Sequence, residues 1–236
     1  MPDPVAEETY QDAFARISAA MDAGRTDLGA LGFWRLLARV KADPVIAHHW
    51  AATAGELDRR AFETRVRVRV PVWLGNGVLV LGTLAGGLAV AIALGTESGT
   101  LGGLALVAAG AIWSVSWHCL AHWVVGRAVG IRFTSYFVGG PFPPRPGLKT
   151  DYATYLRTPP GARAWMHASG ALATKLAPFV ALAFWPATDA PWWSAAALAA
   201  IGALQVVTDV VFSVRSSDWK KVRRERAIAR HHAASA

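Results

Sequence analysis

The sequence predicts an all-α integral membrane protein with four transmembrane helices, a cytoplasmic helical N-terminal region and a short hairpin-like loop after the second span. Hydrophobic residues make up 53% of the 236 residues, charged residues make up 17%, and the mean hydropathy is +0.30. Soluble domains carry about 25% charged residues, so this composition excludes an ordinary soluble domain. Four apolar segments are long enough to cross a hydrocarbon core, which takes about 20 residues in a helix.

The predicted spans divide the chain into three consecutive regions. The spans are residues 71–95, 100–126, 164–185 and 192–214. We therefore expect a cytoplasmic N-terminal helical region at 1–70, a four-span membrane domain at 71–218 and a basic cytoplasmic tail at 219–236.

Basic residues lie on one side of these spans. The connections TESGT and PATDAP, which join the first span to the second and the third to the fourth, contain no Lys or Arg. The other three segments contain many Arg and a few Lys residues, which places the two termini and the middle loop in the cytoplasm by the positive-inside rule. The net charge of +8 is explained by this topology, so we expect the lipid bilayer and no nucleic acid as a partner. The expected location is a bacterial cytoplasmic membrane.

The segments outside the spans contain sequence patterns that predict secondary structure. Two apolar stripes at helical spacing predict packed or surface-bound helices before the first span; their residues are Tyr10, Phe14, Ile17 and Met21, then Phe33, Trp34, Leu36, Leu37 and Val40. In the middle loop, residues 131–138 are β-branched and aromatic and end at Gly139-Gly140. This pattern predicts a strand or one limb of a hairpin.

A histidine pair marks the candidate site. His118 and His122 lie one turn apart in the second span, and imidazoles at i and i+4 project from the same helix face, where they can share one metal ion. With the predicted topology the pair lies one to two turns inside the cytoplasmic boundary. Asp209 in the fourth span falls at nearly the same depth, and Asp218 lies in the boundary region. Two histidines and a carboxylate complete the protein ligands of a catalytic zinc, and depth favours Asp209 over Asp218.

With these motifs in view, residues 72–220 resemble the site-2 proteases, intramembrane zinc metalloproteases that cut membrane-spanning substrates. HCLAH at 118–122 looks like the family's HExxH motif, and GIRFTSYFVGG at 130–140 is similar to its hairpin. SGALAT at 169–174 resembles the family's third-span element, and VVTDVVFSV at 206–214 resembles its last motif. The resemblance implies one zinc ion held by His118, His122 and Asp209, with Asp218 as the alternative third ligand.

The chain departs from the family pattern at the residues that carry catalysis. Cys119 stands where the family has its general-base glutamate, and Thr174 stands where it has an asparagine. His167, on the same face of the third span as Thr174, is a candidate fourth ligand or replacement base. The resemblance therefore implies a zinc metallopeptidase-like protein that acts on membrane-spanning substrates near the cytoplasmic face. The alternative is a catalytically inactive, metal-binding pseudoprotease that binds a membrane-spanning partner.

Each of these residues also has a simpler interpretation. His118 and His122 could hydrogen-bond neighbouring helices, and Asp209 could pair with Lys175 in the third span. Asp218 could pair with a nearby basic residue or cap the helix that follows it. His167 could be an interfacial histidine, and Cys119 a small buried apolar residue.

Overall fold

The protein is described by a computed structural model, which covers residues 4–139, 145–211 and 217–234, with side chains for 10–139, 146–208 and 217–234. Within these residues the chain is mostly helical and divides into two compact units. The first unit comprises the described parts of residues 1–72, 127–163 and 225–236, and the second comprises those of 73–126 and 164–224. Both units are therefore built from stretches that lie far apart in the sequence.

The first unit contains three N-terminal helices, α1 (Pro4–Asp22), α2 (Phe33–Val40) and α3 (Pro44–Arg65). The two predicted stripes are confirmed as faces of α1 and α2, because all their residues are buried in one apolar cluster except Trp34, which is 49% exposed. Asp43 caps α3 by accepting hydrogen bonds from the N–H groups of Val45 and Ile46 at 2.7 and 3.1 Å. Such a cap satisfies N–H groups that have no partner within the helix.

The first unit also contains a small antiparallel sheet and one short helix. The strands β1 (Arg69–Val70), β2 (Phe133–Gly139) and β3 (Arg145–Thr150) are adjacent in that order. The predicted hairpin is therefore present as β2 and β3, while its connection at 140–144 lies outside the described residues. The helix α6 (Tyr152–Arg157) follows β3. It packs closely on α3, since a Cβ at Gly55 would lie 2.7 Å from the Cβ of Ala153.

The second unit contains the apolar helices α4 (Val72–Gly95), α5 (Gly99–Ala128), α7 (Pro160–Ala183) and α8 (Trp192–Val211). A short 3₁₀ turn at Trp185–Ala187 follows α7. The helix α9 (Asp218–Ala234) begins in this unit and ends in the first one. The described residues contain three helices long and apolar enough to cross a membrane, at Val72–Gly95, Gly99–Ala128 and Pro160–Ala187. Trp192–Thr208 is a shorter apolar helix, so three of the four predicted spans have the required length.

The exposed surface of α4 fits a lipid environment. Nine large apolar side chains on this one helix are exposed: Trp73, Leu74, Val78, Val80, Leu81, Leu84, Leu88, Ile92 and Leu94. A soluble monomer rarely exposes a continuous apolar surface of this kind. The protein is therefore best described as an integral membrane protein.

Small residues allow the apolar helices to pack closely. A Cβ at Gly86 in α4 would lie 2.5 Å from Cδ1 of Trp113 in α5, and the Trp113 indole N–H donates to the carbonyl of Thr83 at 3.0 Å. In the same way, a Cβ at Gly110 in α5 would lie 2.6 Å from Cδ2 of Leu198 in α8. Close approach at small residues is a common basis for helix association in membranes. These contacts position α5, which carries the histidine pair.

Candidate metal centre

Both histidines of α5 face α7. The Nδ1 atom of His118 lies 3.1 Å from the carbonyl oxygen of Gly170 and 2.9 Å from the hydroxyl of Thr174. One turn further along α5, Nδ1 of His122 lies 2.6 Å from the carbonyl oxygen of Met166. The i, i+4 spacing that aligns the pair on α5 thus matches carbonyls spaced one turn apart on α7.

These contacts determine which nitrogen of each ring carries the proton. A carbonyl oxygen only accepts hydrogen bonds, so Nδ1 of His122 must donate to Met166, and Nδ1 of His118 donates in the same way. The Thr174 hydroxyl donates to the Gly170 carbonyl at 3.0 Å, which leaves its oxygen free to accept from His118. In a neutral imidazole the other nitrogen, Nε2, then presents a lone pair. Metal-binding histidines are oriented by this kind of outer hydrogen bond.

Asp218 lies opposite both Nε2 atoms. Its Oδ2 is 3.1 Å from Nε2 of His122 and 3.5 Å from Nε2 of His118. One donor atom from each of these three residues lies within 4.8 Å of the other two. Asp218 is the first residue of α9, and its second oxygen, Oδ1, accepts a hydrogen bond from Lys221 at 2.9 Å.

The electrostatics of this cluster require a positive charge. Two nitrogen lone pairs and a carboxylate oxygen repel one another unless a proton or a metal ion lies between them. Burial alone would raise the pKa of Asp218. When both nitrogens of His122 are protonated, its Nε2–H bond and its charge, with the charge of Lys221, outweigh burial and hold that pKa below its ordinary value. Asp218 is therefore ionised, which is the form that ligates metals.

The donor set fits a zinc ion. Two histidine nitrogens and one carboxylate oxygen form a known three-ligand set that leaves a fourth position open. Metal–ligand bonds of about 2.0–2.1 Å in tetrahedral geometry put ligand atoms about 3.3 Å apart. The nitrogen–oxygen distances of 3.1 and 3.5 Å lie on either side of that value.

His167 lies beside the cluster without joining it. Its Nδ1 is 4.0 Å from Oδ1 of Asp218, the oxygen that does not face the histidine pair. The ring centroids of His167 and His122 are 6.3 Å apart. The Nδ1 atom of His167 is thus at the limit of ion-pair distance from Asp218, and the donor group found among the described residues consists of His118, His122 and Asp218.

The structure places the other predicted residues less directly at the site. Cys119 is half-buried on α5 and does not belong to the donor group found among the described residues. This agrees with its position next to His118, since consecutive helix residues point about 100° apart. Asp209 lies in α8, but its side chain lies outside the described residues, so its proposed ligand role stays a prediction. Its pairing with Lys175 is equally untested.

Asp218 could have been ranked higher from the sequence. Depth favours Asp209 when residues 192–214 are taken as the last helical segment, whereas Asp218 is the first residue of a further helix, α9. Ser217 followed by an acidic residue and a basic helical pattern is a typical helix start, and the Lys220 N–H lies 3.4 Å from Oγ of Ser217. The role of Gly170, which leaves room for the His122 ring, was not predicted. The sequence signal for this role is that Gly170 is a glycine within the third predicted span, where a small residue permits close approach of a neighbouring helix.

Comparison of the chain with models of protein families, with curated proteins and with solved structures found no match.

Proposed function

We propose that the protein is an integral membrane protein of the site-2 protease type that holds one zinc ion with His118, His122 and Asp218. One observation carries the proposal: both imidazoles are held with Nδ1 on α7, while both Nε2 atoms meet one oxygen of Asp218. The order of the resembling motifs along the chain supports the same assignment. Zinc, when bound, supplies a Lewis acid that polarises a carbonyl group.

The proposed topology has four spans, with α8 as the fourth. Arg127 follows the histidine pair at the end of α5, and the helix α9 after α8 is strongly basic. The positive-inside rule then puts both termini, the middle loop and the metal centre at the cytoplasmic side. A partner that reaches this centre is a membrane-spanning protein exposed near the cytoplasmic face.

We propose further that the centre binds such a partner without efficient hydrolysis. Cys119 stands at the position of the general base, whose help is typically worth about 10²–10⁴-fold in rate. Thr174, at the position of the family's asparagine, is already engaged with His118 and Gly170. The chain thus keeps the groups that hold the metal and lacks those that act on a substrate.

Slow peptide hydrolysis is the second candidate function. The observation that favours it is His167, whose Nδ1 lies 4.0 Å from Oδ1 of Asp218. An imidazole at that place could take a proton from a nucleophilic water in place of the missing glutamate.

Metal analysis of the purified full chain tests the shared part of both functions. We expect about one zinc per wild-type chain, and loss of that zinc in His122→Ala and in Asp218→Ala. His48→Ala is the matched control, because His48 is exposed on α3 and should leave the zinc content unchanged. Equal zinc content in all four proteins would exclude the centre.

Cleavage of a membrane-spanning reporter in proteoliposomes separates the two functions. If the protein only binds its partner, it retains the reporter without cleaving it, and His167→Ala leaves reporter binding unchanged. Cleavage by the wild type that is lost in both His167→Ala and His122→Ala would establish the peptidase. Cys119→Glu completes the set, since restored hydrolysis in this variant would identify the cysteine as the cause of inactivity.

A further inference from the structure

A groove between α1 and α2 in the first unit is lined by basic side chains. It has a volume of about 730 Å³ and contains four arginines, Arg16, Arg25, Arg35 and Arg39. Pockets for small molecules commonly have volumes of about 300–1,000 Å³. Of the described residues that line this groove, none carries a carboxylate.

The two acidic residues that flank Arg25 in the chain, Asp22 and Asp27, interact with groups outside the groove. Asp22 forms an ion pair with Arg60 on α3 at 2.5 Å. Asp27 accepts hydrogen bonds from the N–H groups of Gly29 and Ala30 at 2.9 and 3.3 Å. The two acids that flank Arg25 in the chain therefore do not neutralise the groove.

The arginines are available for a ligand. Within the described part of the chain, no carboxylate lies within ion-pair distance of Arg16, Arg25 or Arg35. The Arg39 guanidinium lies over the ring of Tyr10, 5.2 Å from its centroid, which holds it beside α1. Four like charges around one cavity repel one another, and a bound anion relieves that repulsion.

The chemistry of the lining favours phosphate over a single carboxylate. A guanidinium offers a planar fork of N–H donors that fits two oxygens of a phosphate. A phosphate ester carries one or two charges on two or three non-bridging oxygens around a tetrahedral centre, so arginines on different sides of the groove can bind it at once, whereas a carboxylate has two oxygens in one plane and one charge. Ile17, Leu31 and Leu36 supply an apolar part of the lining, which suits the organic portion of such a ligand.

We propose that this groove binds a phosphate-bearing ligand through Arg16, Arg25, Arg35 and Arg39. The phosphate belongs either to the headgroup of an anionic phospholipid or to a soluble organic phosphate. The site is separate in its residues from the metal centre, so either one can fail a test while the other stands.

Binding by the full chain in detergent micelles tests the proposal in two arms. The first arm is a calorimetric titration with inorganic phosphate, with sodium chloride at equal ionic strength as the blank. The second arm follows the thermal unfolding midpoint as dioleoylphosphatidylglycerol, or the same amount of dioleoylphosphatidylcholine, is added to the micelles. Binding in the first arm alone identifies a soluble phosphate, and a rise with phosphatidylglycerol alone identifies the lipid.

Two triple variants distinguish the groove from general basicity. Arg16→Gln with Arg25→Gln and Arg35→Gln should weaken binding by about tenfold or more, because the forked donors are lost. The control removes three exposed arginines elsewhere, Arg67→Gln with Arg226→Gln and Arg230→Gln, and should retain wild-type binding. A variant with lysine at positions 16, 25 and 35 keeps the charge and should bind with intermediate affinity. Binding in neither arm, or equal loss in the groove and control variants, overturns the proposal.

Discussion

The imidazole ring of His122 occupies the space that a side chain at Gly170 would need. A Cβ at Gly170 would lie 2.5 Å from Cε1 and 2.6 Å from Cδ2 of this ring. Because α7 has a glycine here, the ring can approach the helix backbone, where its Nδ1 reaches the carbonyl oxygen of Met166. The lack of a side chain at Gly170 thus allows the orientation that His122, a candidate metal ligand, adopts.

Gly170→Ala should therefore displace the His122 ring and weaken zinc binding by about tenfold or more, since loss of the orienting hydrogen bond typically has this effect. Gly161→Ala in the same helix is the matched control, because a Cβ there meets nothing within 4 Å. Competition with a chromophoric chelator measures both affinities. Wild-type affinity in Gly170→Ala would show that the contact with α7 is not needed.

Thr174→Val should lower zinc affinity by about 10–100-fold. The substitution keeps the shape of the side chain and removes the oxygen that accepts the hydrogen bond of His118 at 2.9 Å. Thr174→Ser retains that oxygen and should bind zinc as the wild type does. If the valine and serine variants behave alike, Thr174 has no part in orienting His118.

The third ligand can be assigned by two isosteric substitutions. Asp218→Asn removes the charge that faces both imidazoles, and we expect it to abolish stoichiometric zinc in elemental analysis. Asp209→Asn tests the ligand favoured by the sequence. Loss of zinc in the Asp209 variant with retention in the Asp218 variant would move the site to α8.

The sequence located the histidine pair because a helix has a fixed period, so residues at i and i+4 share a face whatever surrounds them. The same local rule predicted the buried stripes of α1 and α2. Depth along a span does not indicate Asp218, because its place opposite the histidines depends on where α9 begins and on how that helix packs, which are tertiary features. The pairing of β1 with β2 escaped prediction for a similar reason: a strand of two residues carries almost no periodic signal.

Glu225 illustrates the contacts that sequence reasoning missed altogether. This carboxylate is fully buried in the first unit and accepts hydrogen bonds from Lys41 at 2.8 Å and from the hydroxyl of Tyr155 at 2.9 Å. The Nε atom of Arg163 also lies 2.8 Å from its Oε2, close enough for an ion pair although not aligned as a hydrogen bond. Its partners lie far away in the chain, so no local pattern indicates them.

Glu225→Gln should destabilise the protein by about 3–5 kcal/mol, because it removes the buried carboxylate charge that faces Lys41 and Arg163. Both cations are almost completely buried, at 4% and 1% exposure. Thermal unfolding of the purified protein measures the loss. Arg226→Gln, at the next and exposed position, is the control and should unfold like the wild type.

Glu225 should also make the stability of the folded protein depend on pH in the acidic range. Burial raises the pKa of Glu225, but the charges of Lys41 and Arg163 outweigh it and keep the pKa below its ordinary value of 4.5. A lowered carboxyl pKa contributes stability that is complete above pH 4.5 and is lost as the pH falls through the lower pKa of the folded state. Unfolding midpoints measured from pH 6 downward should fall more steeply for the wild type than for Glu225→Gln. Parallel curves would contradict this assignment.

The order in which the chain is made bears on when the metal can enter. Asp218 lies 96 residues after His122, so during synthesis the histidines emerge long before the carboxylate that faces them. Until α9 has been made, the two imidazoles have their hydrogen-bond partners on α7 but lack the carboxylate of Asp218. Under the proposed assignment, zinc is therefore captured late in biogenesis, and metal content would distinguish finished chains from those stalled before the final helix.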